Sequence, residues 1–333
     1  MKLKFVTLLV LLFMYGRVAP QEKPALAEVD RIRLAEAFRI GDRISNHVWK
    51  DWTKAPFAVL LVTPDYEFLV RHYEPSDDFI KLGYDTLLKS EVYYRKRTLP
   101  ILLLATFPAI KGSMTPTIVV GQAENTNAKD STPWVVTLLH EHFHQLQYSK
   151  PGYYDDVKGL GLAHDDQMWM LNYPFPYDRK EVQERHALMS RLLAEAVDAP
   201  RGDLSKRLAA FLQARQDFQK TLVPDDYKYF SFQFWQEGIA RYTEIRIAQL
   251  AATSYRPSKE FLALKDYTPF ADVAKETRER SLRQLIKQQL ARSRREVVYP
   301  FGAVEALLLD RVSPRWQQRY FTEKFGLDQY FPK

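Results

Sequence analysis

One short segment restricts this chain more than any other. His140-Glu141-His142-Phe143-His144 sets two histidines four positions apart, with a glutamate directly after the first. Val135, Val136, Leu138, Leu139, Phe143 and Leu146 recur around it at helical spacing, and Thr132-Pro133 upstream suits a helix start. A helix is therefore expected over about 133–149, ended by Pro151-Gly152. On a helix, side chains four apart share a face, so His140 and His144 can point at one ion. Glu141 lies one step round and can reach a water on that ion, where it would act as general base. His142 is two residues from each and points off that face, which makes it a packing or surface histidine.

Zinc held by three protein ligands keeps a fourth position for water, lowers the pKa of that water and polarises a carbonyl. The third ligand has to come from elsewhere. The metzincin continuation needs Gly and His three and six positions after the second ligand, and Gln147 and Lys150 stand there. Trp235-Gln236-Glu237-Gly238-Ile239-Ala240-Arg241-Tyr242-Thr243-Glu244 instead resembles the third-ligand helix of the gluzincin peptidases, especially the aminopeptidase-N type. The resemblance implies Glu237 as the ligand. It implies Gly238 and Ala240 as small residues that let this helix approach the His140–His144 helix. It implies Glu244, two turns on, as a hydrogen-bond partner that fixes the tautomer of a ligand histidine. Without the resemblance, the segment reads as an amphipathic helix with an inward Glu, and such a carboxylate needs a partner.

Val298-Tyr299-Pro300-Phe301-Gly302-Ala303 resembles the Y-x-K-G-A stretch of the same enzymes, with Phe301 in place of Lys. Tyr299 would then donate to the developing oxyanion. Read from the residues alone, it is equally an aromatic over the core. Gly121-Gln122-Ala123-Glu124-Asn125 is similar to their G-x-M-E-N strand, with Ala123 in place of Met. Glu124 would then bind a substrate amino group, or else be a turn residue after a strand at 117–120, which leaves aminopeptidase and endopeptidase open. His144 and Glu237 are separated by 92 residues, a longer gap than in aminopeptidase-N, filled by helix-forming stretches 178–199 and 203–222. Glu181, Glu184 and Glu195 inside it lack the surrounding pattern.

The fold these features imply is α+β, a gluzincin (thermolysin-like) catalytic fold. An N-terminal lobe (28–150) would carry a small mixed β-sheet and the H-E-x-x-H helix. A loop (151–177) could rim the cleft, and a mostly helical lobe (178–333) would complete a single domain. Strands are expected at 57–63, 67–71, 91–97, 100–106 and 117–121, and helices at 26–49, 225–252 and 301–311. The activity implied is that of a zinc metallopeptidase (a hydrolase) acting on peptide or protein substrates. Two alternatives remain: a non-catalytic binding protein that keeps a peptidase fold, and a zinc hydrolase of a non-peptide bond.

The 333 residues are 46% hydrophobic and 27% charged, an ordinary globular composition. Lys2 and Lys4 precede an apolar run from Phe5 to Tyr15, too short to span a bilayer and suited to a signal peptide. A leader at 1–27, cleaved after Ala19 or Ala27, implies export to the periplasm or beyond, with no stable membrane span once it is removed; retention as an uncleaved anchor is the alternative. There is no cysteine, so neither a disulfide nor a thiolate ligand can form. The net charge of +7 falls to +4 without the leader's four cations and one acid, too mild to imply nucleic acid. The basic stretch 275–295 places Leu282, Leu285, Ile286 and Leu290 on one face and reads as a solvated amphipathic helix. Contact with acidic substrate or anionic lipid is the minority reading.

Overall fold

A computed structural model describes residues 24–332 apart from 165 and 167. The expected leader lies outside the described residues except for its last four, of which Leu26 is buried against the core.

Six strands form one mixed sheet in the order β3-β4-β2-β1-β6-β5. They are β1 (Ala58–Val62), β2 (Tyr66–Val70), β3 (Ile80–Asp85), β4 (Ser90–Lys96), β5 (Leu104–Phe107) and β6 (Thr117–Gly121). β1 and β6 pair in parallel and the other neighbours antiparallel. The two parallel strands are buried along their whole length, so they read as unbroken Val/Leu/Ile runs rather than as alternation. Val59, Leu61, Phe68, Ile118 and Val120 face the main core, while Leu60, Val62, Leu69 and Val119 face a small satellite core with Phe79 and Ile110.

Helix α1 (Glu28–Ile44) and helix α2 (Ser131–Tyr148) pack against each other, and α2 also packs on β5 and β6. Gln145 ties α2 to the sheet by donating to the carbonyls of Ala58 and Pro116 at 2.9 and 2.7 Å. After α2 come two short helices, α3 (Tyr153–Gly159) and α4 (Trp169–Asn172), inside the stretch expected to be loop. That stretch is packed rather than open: Tyr153, Leu162, Trp169, Phe175 and Tyr177 are buried. None of its described residues lines the cleft described below, so the expected rim is a correction.

The remainder is helical: α5 (Lys180–Val197), α6 (Leu204–Lys220), α7 (Pro224–Gln233), α8 (Ile239–Ser254), α9 (Lys259–Leu262), α10 (Phe270–Lys287), α11 (Leu290–Ser293) and α12 (Val298–Val312). A single π-turn, Phe234–Gly238, joins α7 to α8 and carries Glu237; such turns are rare and gather at functional sites. Gly238 was expected to admit the His140–His144 helix. It admits α12 instead: a Cβ on Gly238 would meet Gly302 Cα at 2.5 Å. The two lobes share one core. Trp49, just after α1, is fully buried among Tyr242, Trp316 and Tyr320 and donates its Nε1–H to Thr243 Oγ1 at 2.9 Å.

His142 faces away from the other two histidines. Its ring stacks on Phe57 at 3.7 Å and donates through Nδ1 to Gln145 Oε1 at 2.9 Å. Burial pushes its pKa down to about 3, and that of His186 to about 4. Below the free value near 6.5 the unfolded chain binds protons that these folded imidazoles refuse, so stability is lost as pH falls. A His142→Phe variant removes one such group. Between pH 7 and 5 it should lose about 2 kcal/mol less than the parent, read by urea unfolding at both pH values. Equal losses would show that His142 does not govern the acid limb.

Candidate metal centre

Helix α2 presents His140, Glu141 and His144 with ligand atoms all within 4.8 Å of one another, each residue buried. The π-turn brings Glu237 to the same point: its Oε2 lies 3.3 Å from His144 Nε2 and 3.9 Å from His140 Nε2. Two carboxylates thus stand near the imidazole pair, and their other partners separate them. Glu141 Oε2 accepts a hydrogen bond from Thr106 Oγ1 on β5 at 2.7 Å. Glu237 accepts through Oε1 from Arg295 Nη2 at 2.6 Å, which leaves Oε2 aimed between the two Nε2 atoms.

The far side of each ring is also held. His140 Nδ1 meets Glu244 Oε1 at 2.7 Å, and His144 Nδ1 meets Gln147 Oε1 at 2.6 Å. Donating from Nδ1 leaves each Nε2 lone pair free for an ion, and such outer partners hold ligand rings in orientation. Glu244 in turn accepts from Arg241 Nη1 at 2.8 Å. Gln147 donates to the Gln236 carbonyl and to Tyr320 Oη at 3.2 and 2.7 Å, which ties α2 to the π-turn.

Burial opposes a charged His140, but Glu237 and Glu244 outweigh it and lift its pKa to about 9. Glu237 is likewise opposed by burial, yet His144, His140 and Arg295 hold it well below the ordinary range. Glu244 is held down by Arg241 and His140 against its burial. Positive charge is thus stabilised at the point where the Nε2 atoms and Oε2 converge. Two nitrogens and a carboxylate oxygen, each braced from behind, are a donor set that fits zinc.

His140, Glu141 and Glu244 line a cleft of about 930 Å³, though His144 and Glu237 do not, and its walls include Leu104 of β5, Asn125–Asp130, Thr268 and Asp272 near α10, and Tyr299 of α12. The Tyr299 ring lies nearly parallel to His140 at 6.2 Å, and its hydroxyl accepts from Arg295 Nη1 at 3.1 Å. Burial, aided by Glu237, raises its pKa well above the ordinary value, so it keeps its proton. Glu124 lines the same cleft after β6, but its carboxylate accepts from the buried Arg33 at 3.0 Å. Glu181, Glu184 and Glu195 of α5 do not line it, and Glu195 pairs with Arg207.

Sequence reasoning missed Thr106 and Arg295. Arg295 falls in a basic run that reads as solvated, and nothing in its spacing separates it from its neighbours. Compared with protein-family models, with curated proteins and with solved structures, the chain matches none of them. The site is therefore assigned from its own geometry: an H-E-x-x-H cluster able to hold a metal ion.

Proposed function

We propose that the chain is an exported zinc metallopeptidase of the gluzincin type, with His140, His144 and Glu237 as ligands. The observation that carries the reading is the convergence of two imidazole Nε2 atoms and Glu237 Oε2 on one point, with His140 of that set and Glu141 beside it lining an open cleft. Bound there, zinc would acidify a water and polarise a carbonyl. Glu141 would take the proton of the attacking water on its carboxylate and pass it to the leaving amine. Tyr299 would donate its hydroxyl proton to the oxyanion, while Arg295 occupies the phenol's acceptor side and so turns that proton toward the cleft. Glu244 holds His140 at Nδ1. A peptide is the substrate that the resemblance implies. Export rests on the leader, and no helix of the described residues is long and apolar enough to cross a membrane.

Metal analysis of the purified protein beside two variants tests the ligand set. Wild type should carry stoichiometric zinc. Glu244→Gln should weaken binding by about 10–100-fold, the usual loss when an outer partner goes. Glu237→Ala should weaken it further. A Glu237→Ala protein that keeps its zinc, beside a Glu141→Ala protein that loses it, would reverse the roles of the two carboxylates.

A further inference from the structure

The cleft does not end at Tyr299. A second recess of about 360 Å³ adjoins it and shares Arg280, Gln284 and Gln288 of α10 and the turn that follows. Arg280, Arg283, Lys287 and Arg292 line this recess, and no acid does. Arg283 is partly neutralised by Glu276 and Glu279 at 2.6 and 3.7 Å. Among the described residues Arg280 pairs only with Glu244, at 3.9 Å, a carboxylate already shared with His140 and Arg241. Lys287 and Arg292 pair with no carboxylate among the described residues. Gln288 Oε1 is buried without a hydrogen-bond partner among the described residues.

The inner end of this basic groove, Arg280, pairs at 3.9 Å with Glu244, which hydrogen-bonds His140 at 2.7 Å. From Arg280 to Lys287 the groove follows about 10 Å of helix. That length matches about three residues of extended chain. A lipid headgroup layer would need a protruding, apolar-tipped face, whereas this is a recess continuous with the cleft. We propose that the groove along α10 and α11 is a specificity subsite that selects substrates carrying acidic side chains two to four residues from the scissile bond, on one side of it. The proposal rests on the peptidase reading and names its substrate class.

The test uses the full-length protein and quenched fluorescent peptides that differ only in carrying a run of Glu or of Gln, first on one side of the scissile bond and then on the other. The Glu peptide of one side should be cleaved with kcat/KM on the order of tenfold above its Gln counterpart, as two or three partly exposed ion pairs acting together would give. The preference should fade at about 0.5 M salt, where screening is strong. The double variant Lys287→Glu, Arg292→Glu should abolish it and leave the Gln peptide unaffected, since neither residue touches the metal centre. Equal rates for Glu and Gln peptides, or a preference that survives the double variant, overturn the proposal. If no peptide is cleaved, fluorescence anisotropy of a labelled Glu peptide decides: binding lost in the double variant keeps the subsite and sinks the peptidase reading, and charge-independent binding sinks both. Sedimentation with phosphatidylglycerol vesicles that the double variant abolishes, in the absence of any Glu preference, would overturn the proposal in favour of a lipid surface.

Discussion

Glu141→Gln is expected to lower peptide hydrolysis by about 10²–10⁴-fold, the usual worth of a positioned proton acceptor. Zinc content and thermal stability should stay at the parent level. The amide has the carboxylate's shape and can still accept from Thr106 Oγ1, which Glu141 contacts at 2.7 Å. What it lacks is a basic lone pair. No neighbour can substitute. Glu237 is held by Arg295 and the imidazoles of His140 and His144, and Glu244 by His140 and Arg241. The loss should fall on kcat with KM little changed, because the proton is transferred only on the way to the transition state. Initial rates on a fluorogenic peptide beside elemental zinc analysis check this. Activity within a few-fold of the parent would mean that another group takes the proton.

Gly302→Ala should destabilise the fold by about 3 kcal/mol or more, at the upper end of overpacking costs. Its Cβ would sit 2.7 Å from both Gly238 Cα and the Phe234 carbonyl oxygen, and those are backbone atoms with no rotamer to yield. Gly238 has φ −62°, an ordinary helical value, so the constraint here is space and not conformation. The only relief is to push the π-turn away from α12. Glu237 precedes Gly238, so the same displacement should weaken zinc binding although residue 302 touches no ligand atom. Gly202→Ala is the control: nothing lies within 4 Å of its Cβ position, and its effect should stay within about 0.5 kcal/mol. Urea unfolding and zinc titration of both variants provide the readout. A Gly302→Ala protein as stable as the control would show that the two helices part easily.

Much of this was legible in the residues. The spacing of His140 and His144 is a property of one helix, so it survives any tertiary arrangement. The fully buried β1 and β6 announce themselves as Val/Leu/Ile runs. β3 did not, because it is a solvent-facing edge strand whose alternation breaks where the register shifts at Lys81/Gly83, with Gly83 at φ 134°. The strand expected from residue 100 begins at Leu104, since the preceding residues close a turn in which Leu103 N donates to the Pro100 carbonyl. The partner of Gly238 was illegible for a different reason. Which face a small residue offers depends on the helical phase, and a π-turn alters that phase with no marker in composition. Arg295 shows the same limit, since its value comes from three partners brought together only by folding: Gln233, Glu237 and Tyr299.

Trp49 has a consequence for how such a molecule can move. Its indole is contributed by the sheet-bearing half yet wedged into an aromatic slot of the other half, where withdrawal would cost about 3–5 kcal/mol. Rotation of one half against the other by withdrawing this ring is therefore confined to a small minority of molecules. On the proposed peptidase reading, a substrate would then meet a gap of nearly settled width, which favours slack, unstructured stretches of chain over compact folded targets.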